Sequence, residues 1–218
     1  MKKILLFLFI WTSLATLNAQ ERPIEYNHTK EVWTGFTLKK DLNKKFSLNF
    51  DEQVRITEGS QIRVNFMEAG IKYKFIKKAA FKVQYRYSFR NDVRNTSRLS
   101  FDLSYKWKIK PANLQIKYRA RFQNTVVDYT GQSMAYFRNR LIVTYKYNKK
   151  WSTYAYFENF YRLNERNEFR ANRYEFGANY NINKQFELKT FLQYDYEINV
   201  KSPSSRRVIG VLVKYEFD

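Results

Sequence analysis

Cysteine is absent from this 218-residue chain, histidine occurs once, and glycine and proline number only 6 and 3. Without cysteine there is no disulfide framework, no thiolate metal site, no cysteine nucleophile and no thiol for lipid attachment. The single His28 removes most imidazole chemistry. Acidic residues are scarce beside basic ones, 20 against 40, for a formal charge of +20. No dense acidic or histidine cluster points to calcium or a transition metal, so neither a metal nor a cofactor is expected. Aromatics, by contrast, make up 19% of the chain. A disordered chain lacks such apolar surface, so this one folds, and its length fits one domain.

Residues 1–19 read as a secretory signal peptide: Lys2 and Lys3, an apolar run from Ile4 to Leu17, and a small residue, Ala19, before Gln20. The run is too short to anchor the chain across a hydrocarbon core, which needs about 20 residues. Residues 20–30 form an amino-terminal segment or first strand, and residues 31–218 the body of the fold.

From Glu31 onward, apolar and polar residues alternate in segments about ten residues long. In 81–90, Phe81, Val83, Tyr85, Tyr87 and Phe89 oppose Lys82, Gln84, Arg86, Ser88 and Arg90. Segments 98–107, 114–122 and 209–217 repeat the pattern, the signature of strands with two unlike faces. Eleven segments are legible: 31–40, 46–56, 62–75, 80–90, 98–108, 113–122, 135–147, 151–162, 172–180, 186–196 and 205–217. Glu52 falls on the apolar parity, the phase changes within 62–75 as a bulge near Met67 and Glu68 would make it, and 151–162 carries aromatics on both faces.

Short lysine-rich turns follow the odd segments, and longer polar links (91–97, 123–134, 163–171, 197–204) mostly follow the even ones. That asymmetry is characteristic of outer-membrane barrels, with short periplasmic turns and longer external loops. Both 31–40 and 205–217 then run inward. An even strand count needs one more crossing before 31, supplied by 21–30 unless that stretch threads the interior. The expected fold is therefore all-β, a transmembrane antiparallel up-and-down barrel of about 12 strands, or 10 if a segment is not a strand. A soluble sandwich or lipocalin-like barrel has the same alternation with the apolar face inward. Tyr73, Phe75, Tyr105, Trp107, Tyr145, Tyr147, Trp151, Tyr180, Tyr215 and Phe217 cluster beside the short turns, where an interfacial aromatic girdle belongs.

The leader ending in Ala-Gln, the stretch from Val32-Trp33-Thr34-Gly35-Phe36 through Lys44-Lys45-Phe46-Ser47-Leu48, and the following Asp51-Glu52-Gln53-Val54-Arg55 and Gly70-Ile71-Lys72-Tyr73-Lys74 resemble an outer-membrane barrel family known as domain of unknown function 2490. The resemblance spans nearly the whole chain after the leader. It implies a barrel and an outer-membrane location, and carries no agreed activity.

Function is then expected on the polar face. With aromatics toward lipid, the interior is lined by Lys82, Arg86, Arg90, Arg98, Lys117, Arg119, Arg121, Arg138 and Arg140, partly compensated by Asp51, Asp102, Glu158, Glu175, Glu187 and Asp195. Strand directions put Arg86, Arg90, Arg98, Arg119, Arg121, Arg138 and Arg140 in the outer half. Rings of Arg and Lys favour anions, so a small anion-preferring channel or binding barrel is one expectation. The other is a closed barrel whose side chains fill the interior as ion-paired networks. An outer-membrane lipid-modifying enzyme ranks below both: no Gly-x-Ser-x-Gly elbow accompanies His28, and nothing marks Glu158 and Glu175 as a catalytic pair. The protein is not expected to be an enzyme. Basic residues spread along every strand, behind a leader, also exclude nucleic acid as a partner. Expected partners are outer-membrane lipids, an anionic small solute, and the barrel-assembly machinery through the carboxyl-terminal strand. The sequence leaves the oligomeric state open.

Overall fold

A computed structural model describes residues 27–91, 94–164 and 167–217. The expected signal peptide lies outside the described residues. Eleven strands follow one another: β1 (Asn27–Asp41), β2 (Phe46–Thr57), β3 (Gln61–Ile76), β4 (Ala79–Arg90), β5 (Thr96–Ile109), β6 (Leu114–Val127), β7 (Ser133–Lys146), β8 (Trp151–Arg162), β9 (Glu168–Asn181), β10 (Phe186–Glu197) and β11 (Ser204–Phe217). Each pairs antiparallel with its sequence neighbour, and the ring closes through β1 and β11.

That closing pair is parallel, running from Asn27↔Ser204 to Lys40↔Phe217. A ring of strands alternating in direction has one parallel seam whenever their number is odd. The expected count of about 12, with 10 as the alternative, is thereby corrected to eleven. The first and last strands do run the same way, and their parallel pairing closes the ring without a further crossing. Residues 27–30 extend β1 and form no separate strand.

The links at the two ends are nearly equal in length. At one end they span 42–45, 77–78, 110–113, 147–150 and 182–185, and at the other 58–60, 91–95, 128–132, 163–167 and 198–203. β6 runs on to Val127 and β9 begins at Glu168, beyond the alternating segments. Asn124 and Asn172 point outward there, so the apolar half of the alternation fades before the hydrogen-bond ladder ends. Three of the short turns share one device: Asn43, Asn148 and Asn183 each accept, through Oδ1, the backbone N–H groups two and three residues on. Asparagine closes a tight turn in this way, which sets the register of the hairpin.

The bulge in β3 lies at Arg63, not near Met67 and Glu68. Ile62 pairs with Ile56 and Val64 with Arg55, and the ladder is continuous from there to Tyr73. Val64 and Phe66 consequently point inward, 5% and 4% exposed, beside buried Glu68. An apolar run on the wrong parity was an interior feature, not a change of phase.

The wall is apolar outside and polar inside. Phe36, Leu48, Ile71, Tyr85, Leu103, Leu141, Phe176, Leu192 and Ile209 are exposed, whereas Gln53, Glu68, Gln84, Ser100, Asp102, Arg121, Gln123, Arg138, Glu158, Glu175 and Gln193 are buried. A soluble barrel has the reverse arrangement. Glu52 departs from this pattern, facing outward between Phe36 and Met67, and nothing in the structure explains it.

Candidate functional site: the barrel interior

Period-2 alternation delivers the polar half of each strand to the interior, and cross-strand register decides which charges meet. Lys82, Arg86, Arg90, Arg98, Lys117, Arg119, Arg121, Arg138 and Arg140 all lie on the inward parity of their strands, as do Asp51, Asp102, Glu158, Glu175, Glu187 and Asp195. Because β6 and β7 are longer than the alternation suggests, Arg119, Arg121, Arg138 and Arg140 sit at mid-height and not in one half.

Across β5 to β10 the charges are closely paired. Glu158, with no exposed surface, accepts hydrogen bonds from Arg119 at 2.5 Å, Arg140 at 2.6 Å and Arg138 at 2.7 Å. Arg121 forks onto Asp102 at 2.5 and 2.8 Å, and Arg173 onto Asp195 at 2.8 Å through two nitrogens. Asp102↔Arg121, Arg140↔Glu158 and Arg173↔Asp195 are direct register partners, so sheet geometry itself brings each fork to its carboxylate. Glu175 takes the hydroxyls of Tyr154 (2.5 Å) and Tyr156 (2.7 Å) and the ammonium of Lys189 (2.9 Å).

On β1 to β4 two of the cations, Arg55 and Arg86, rest on rings. The Arg86 guanidinium lies 3.5 Å from the Phe66 centroid, and Arg55 lies 5.2 Å from the same ring and 3.8 Å from that of Trp33. Trp33 is also 5.8 Å from Arg173, which approaches Phe160 at 5.2 Å, and Arg138 covers Phe160 at 4.2 Å. Cation and ring alternate through the interior from β4 to β7. Among the described residues Arg55 and Arg98 have no carboxylate within 4 Å; Arg55 contacts Gln53 at 3.2 Å, and Arg98 contacts Thr125 at 2.9 Å. Glu68 holds Arg86 at 2.8 Å and also accepts from Gln84. Glu31 holds Arg63 at 2.9 Å and Arg206 at 2.8 Å.

Two glycines make room for the inner aromatics. A Cβ on Gly210 would stand 2.0 Å from the Phe191 ring, and one on Gly177 would stand 2.5 Å from the Tyr154 hydroxyl. Phe191, Tyr154, Tyr156, Trp33 and Val208 form one buried cluster. Toward the short-turn end the interior opens into a vestibule of about 560 Å³ whose lining includes Gln115, Thr144, Lys146, Ser152, Asn179 and Glu187.

Alternation alone found many of the charges but missed Glu31, Arg55, Glu68, Arg173 and Arg206. Arg55 shares the parity of Asp51 and was legible in principle. Glu68 was hidden by the misplaced bulge, and the inward rings of Trp33, Phe66, Tyr154, Tyr156 and Phe191 carry no signal separating them from outward ones.

The aromatics beside the short turns stand on the outer wall, in contact across and along strands: Phe46 with Tyr73 (4.8 Å between centroids), Tyr105 with Trp107 (4.5 Å), Tyr145 with Tyr147 (4.7 Å), Trp151 with Tyr180 (4.5 Å) and Tyr215 with Phe217 (4.7 Å). Phe75 lies 6.4 Å from Tyr73. His28 Nδ1 is 2.6 Å from Ser205 Oγ across the parallel seam, but Ser205 is 2% exposed, so its oxygen is not presented to a substrate. Among the described residues no cluster of His, Cys, Asp and Glu has the geometry of a metal site.

The closed up-and-down barrel is a fold shared with solved β-barrel proteins. One of the solved structures it resembles is the NanC porin, at 14% identity and a TM-score of 0.51, over 77% of this chain and 87% of that one. A bacterial polysaccharide outer membrane secretin also matches, at 8% identity and a TM-score of 0.49, over 76% of this chain and 62% of that one. No curated protein matches in sequence. The profile of the protein family of unknown function DUF2490 matches residues 30–205, and the chain belongs to that family.

Proposed function

We propose that this protein is an outer-membrane barrel, exported through residues 1–19, whose arginine-rich interior selects small anionic solutes. The exposed apolar band and its flanking aromatics support the membrane reading, because a surface of that kind is stable only against hydrocarbon. One observation carries the anion reading: interior guanidiniums outnumber the carboxylates that reach them, leaving Arg55 and Arg98 held only by rings, an amide and a hydroxyl. A carboxylate or phosphate entering the interior meets two such forks without displacing a protein carboxylate. Among the described residues the imidazole of His28 meets the buried hydroxyl of Ser205, and the role we propose is non-catalytic. The carboxyl-terminal strand, ending at Phe217, is the segment offered to assembly machinery before β1 closes over it.

A second reading is a closed barrel without conduction. It is favoured by the alternation of cations and rings through the interior from β4 to β7. Planar-bilayer recording separates the two. The expected result is a small conductance with a reversal potential on the anion side that moves toward neutrality in R55Q/R98Q. Absence of current at every salt concentration, with the barrel folded, selects the closed form.

A further inference from the structure

The outer wall has one feature that bulk hydrocarbon does not explain. Val32, Ile209, Leu192 and Phe176 are successive register partners on β1, β11, β10 and β9, and form a row straight across the strands. Ala155 on β8 and Ile56 on β2 continue it at either end. The row lines a groove of about 820 Å³, floored by apolar surface. Phe176, Leu192 and Ile209, each 59–60% exposed, are the most exposed large apolar side chains of any described strand. Five strand spacings make the groove about 24 Å long, enough for an extended acyl chain.

Directly above the row, toward the end that carries the 198–203 link, Arg207 and Lys30 face each other as register partners on the same outward side. Like charges placed opposite each other on adjacent strands destabilise the pair. Lys30 has Glu58 at 3.9 Å, and Arg207 has no carboxylate within 4 Å among the described residues. An apolar trough capped by two mutually repelling cations complements a lipid, with its chain along the trough and its phosphate between the cations at head-group depth.

We propose that this groove is a binding site for a phosphorylated acyl glycolipid, of the lipid A type, seated on Arg207 and Lys30. The inference rests on the membrane reading above and is independent of what the interior carries.

The test uses the full barrel refolded in detergent, with native mass spectrometry reporting retention of bisphosphorylated lipid A, phosphatidylglycerol or phosphatidylcholine. Lipid A is expected to be retained best, and K30Q/R207Q to lower its retention roughly twenty-five-fold, taking about a factor of five for each cation at a lipid surface. Filling the trough with A155W or L192W is expected to weaken lipid A binding while leaving the cations in place. Heat-modifiable migration in electrophoresis is read on every variant, so loss of the barrel is told apart from loss of the site. Retention of phosphatidylcholine or phosphatidylglycerol equal to that of lipid A, or insensitivity to K30Q/R207Q, overturns the proposal. So does a dimer that A155W dissociates, since a second copy would then occupy the groove. Failure of the protein to show heat-modifiable migration at all refutes the membrane reading instead.

Discussion

The two sides of the interior hold their arginines by different means. From β6 to β10 the guanidiniums of Arg119, Arg121, Arg138, Arg140 and Arg173 each reach a carboxylate, with Glu158 shared among three. From β1 to β4 the guanidiniums of Arg55 and Arg86 lie on Phe66 and Trp33, and only Arg86 reaches an acid. The paired side therefore holds its guanidiniums on carboxylates, while the stacked side leaves the charge of Arg55 without one. Buried ion pairs resist the loss of one partner far more than they add net stability. Cation–ring contacts contribute about 0.5–2 kcal/mol and leave the charge unneutralised. One barrel thus separates holding itself together from presenting charge.

The largest effect is expected from breaking the paired side at its shared anion. E158Q leaves Arg119, Arg138 and Arg140 without their common carboxylate and should cost about 3–5 kcal/mol, seen as a lower temperature for losing the compact electrophoretic form in detergent. If R55Q lowers that temperature as much, the contrast between the two sides is lost. Next comes the packing that underlies both sides: G210A forces the Phe191 ring aside and should cost about 1–3 kcal/mol as overpacking. Pairing it with F191L should recover part of that loss, a non-additivity expected of residues in contact. Smaller in stability but larger in selectivity, R55Q should unfold within about 2 kcal/mol of the parent and shift the bilayer reversal potential toward cations. The same neutralisation at Arg121 should act mainly on stability, because Asp102 would lose its forked partner and keep only Arg119 at 3.9 Å. The smallest change belongs at the rim, where Lys39 meets Glu216, and Asp41 at 3.2 Å. K39Q should alter stability by at most about 1 kcal/mol, and the measured unfolding should be indistinguishable from the parent's at high salt.

Neutralising Arg119, Arg121, Arg138 and Arg140 together, the natural experiment from sequence, would test the wrong property. Those residues sit on Glu158 and Asp102, so their loss would report on barrel integrity. Arg98, on the same inward parity, keeps its value as a selectivity probe because Thr125 is its partner. The sequence shows where charge lies on a strand, but not which opposite charge the register brings to it. Trp33 and Phe66 make the same point: their rings are as aromatic as those of Tyr105 and Trp107, yet they point inward under arginines.

Alternation is a local property with a period of two residues, and for that reason the strands, their two unlike faces and their turns were readable from the chain alone. Asn43, Asn148 and Asn183 close their turns with groups two or three residues away, which is equally local. Closure is not. The parallel meeting of β1 with β11 joins residues 177 positions apart, and that seam makes the number of strands eleven. Which face of the wall encloses the interior, and which arginine is left without a carboxylate, depend on the same long-range register, because only a completed ring brings one strand's side chains into reach of another's across its axis.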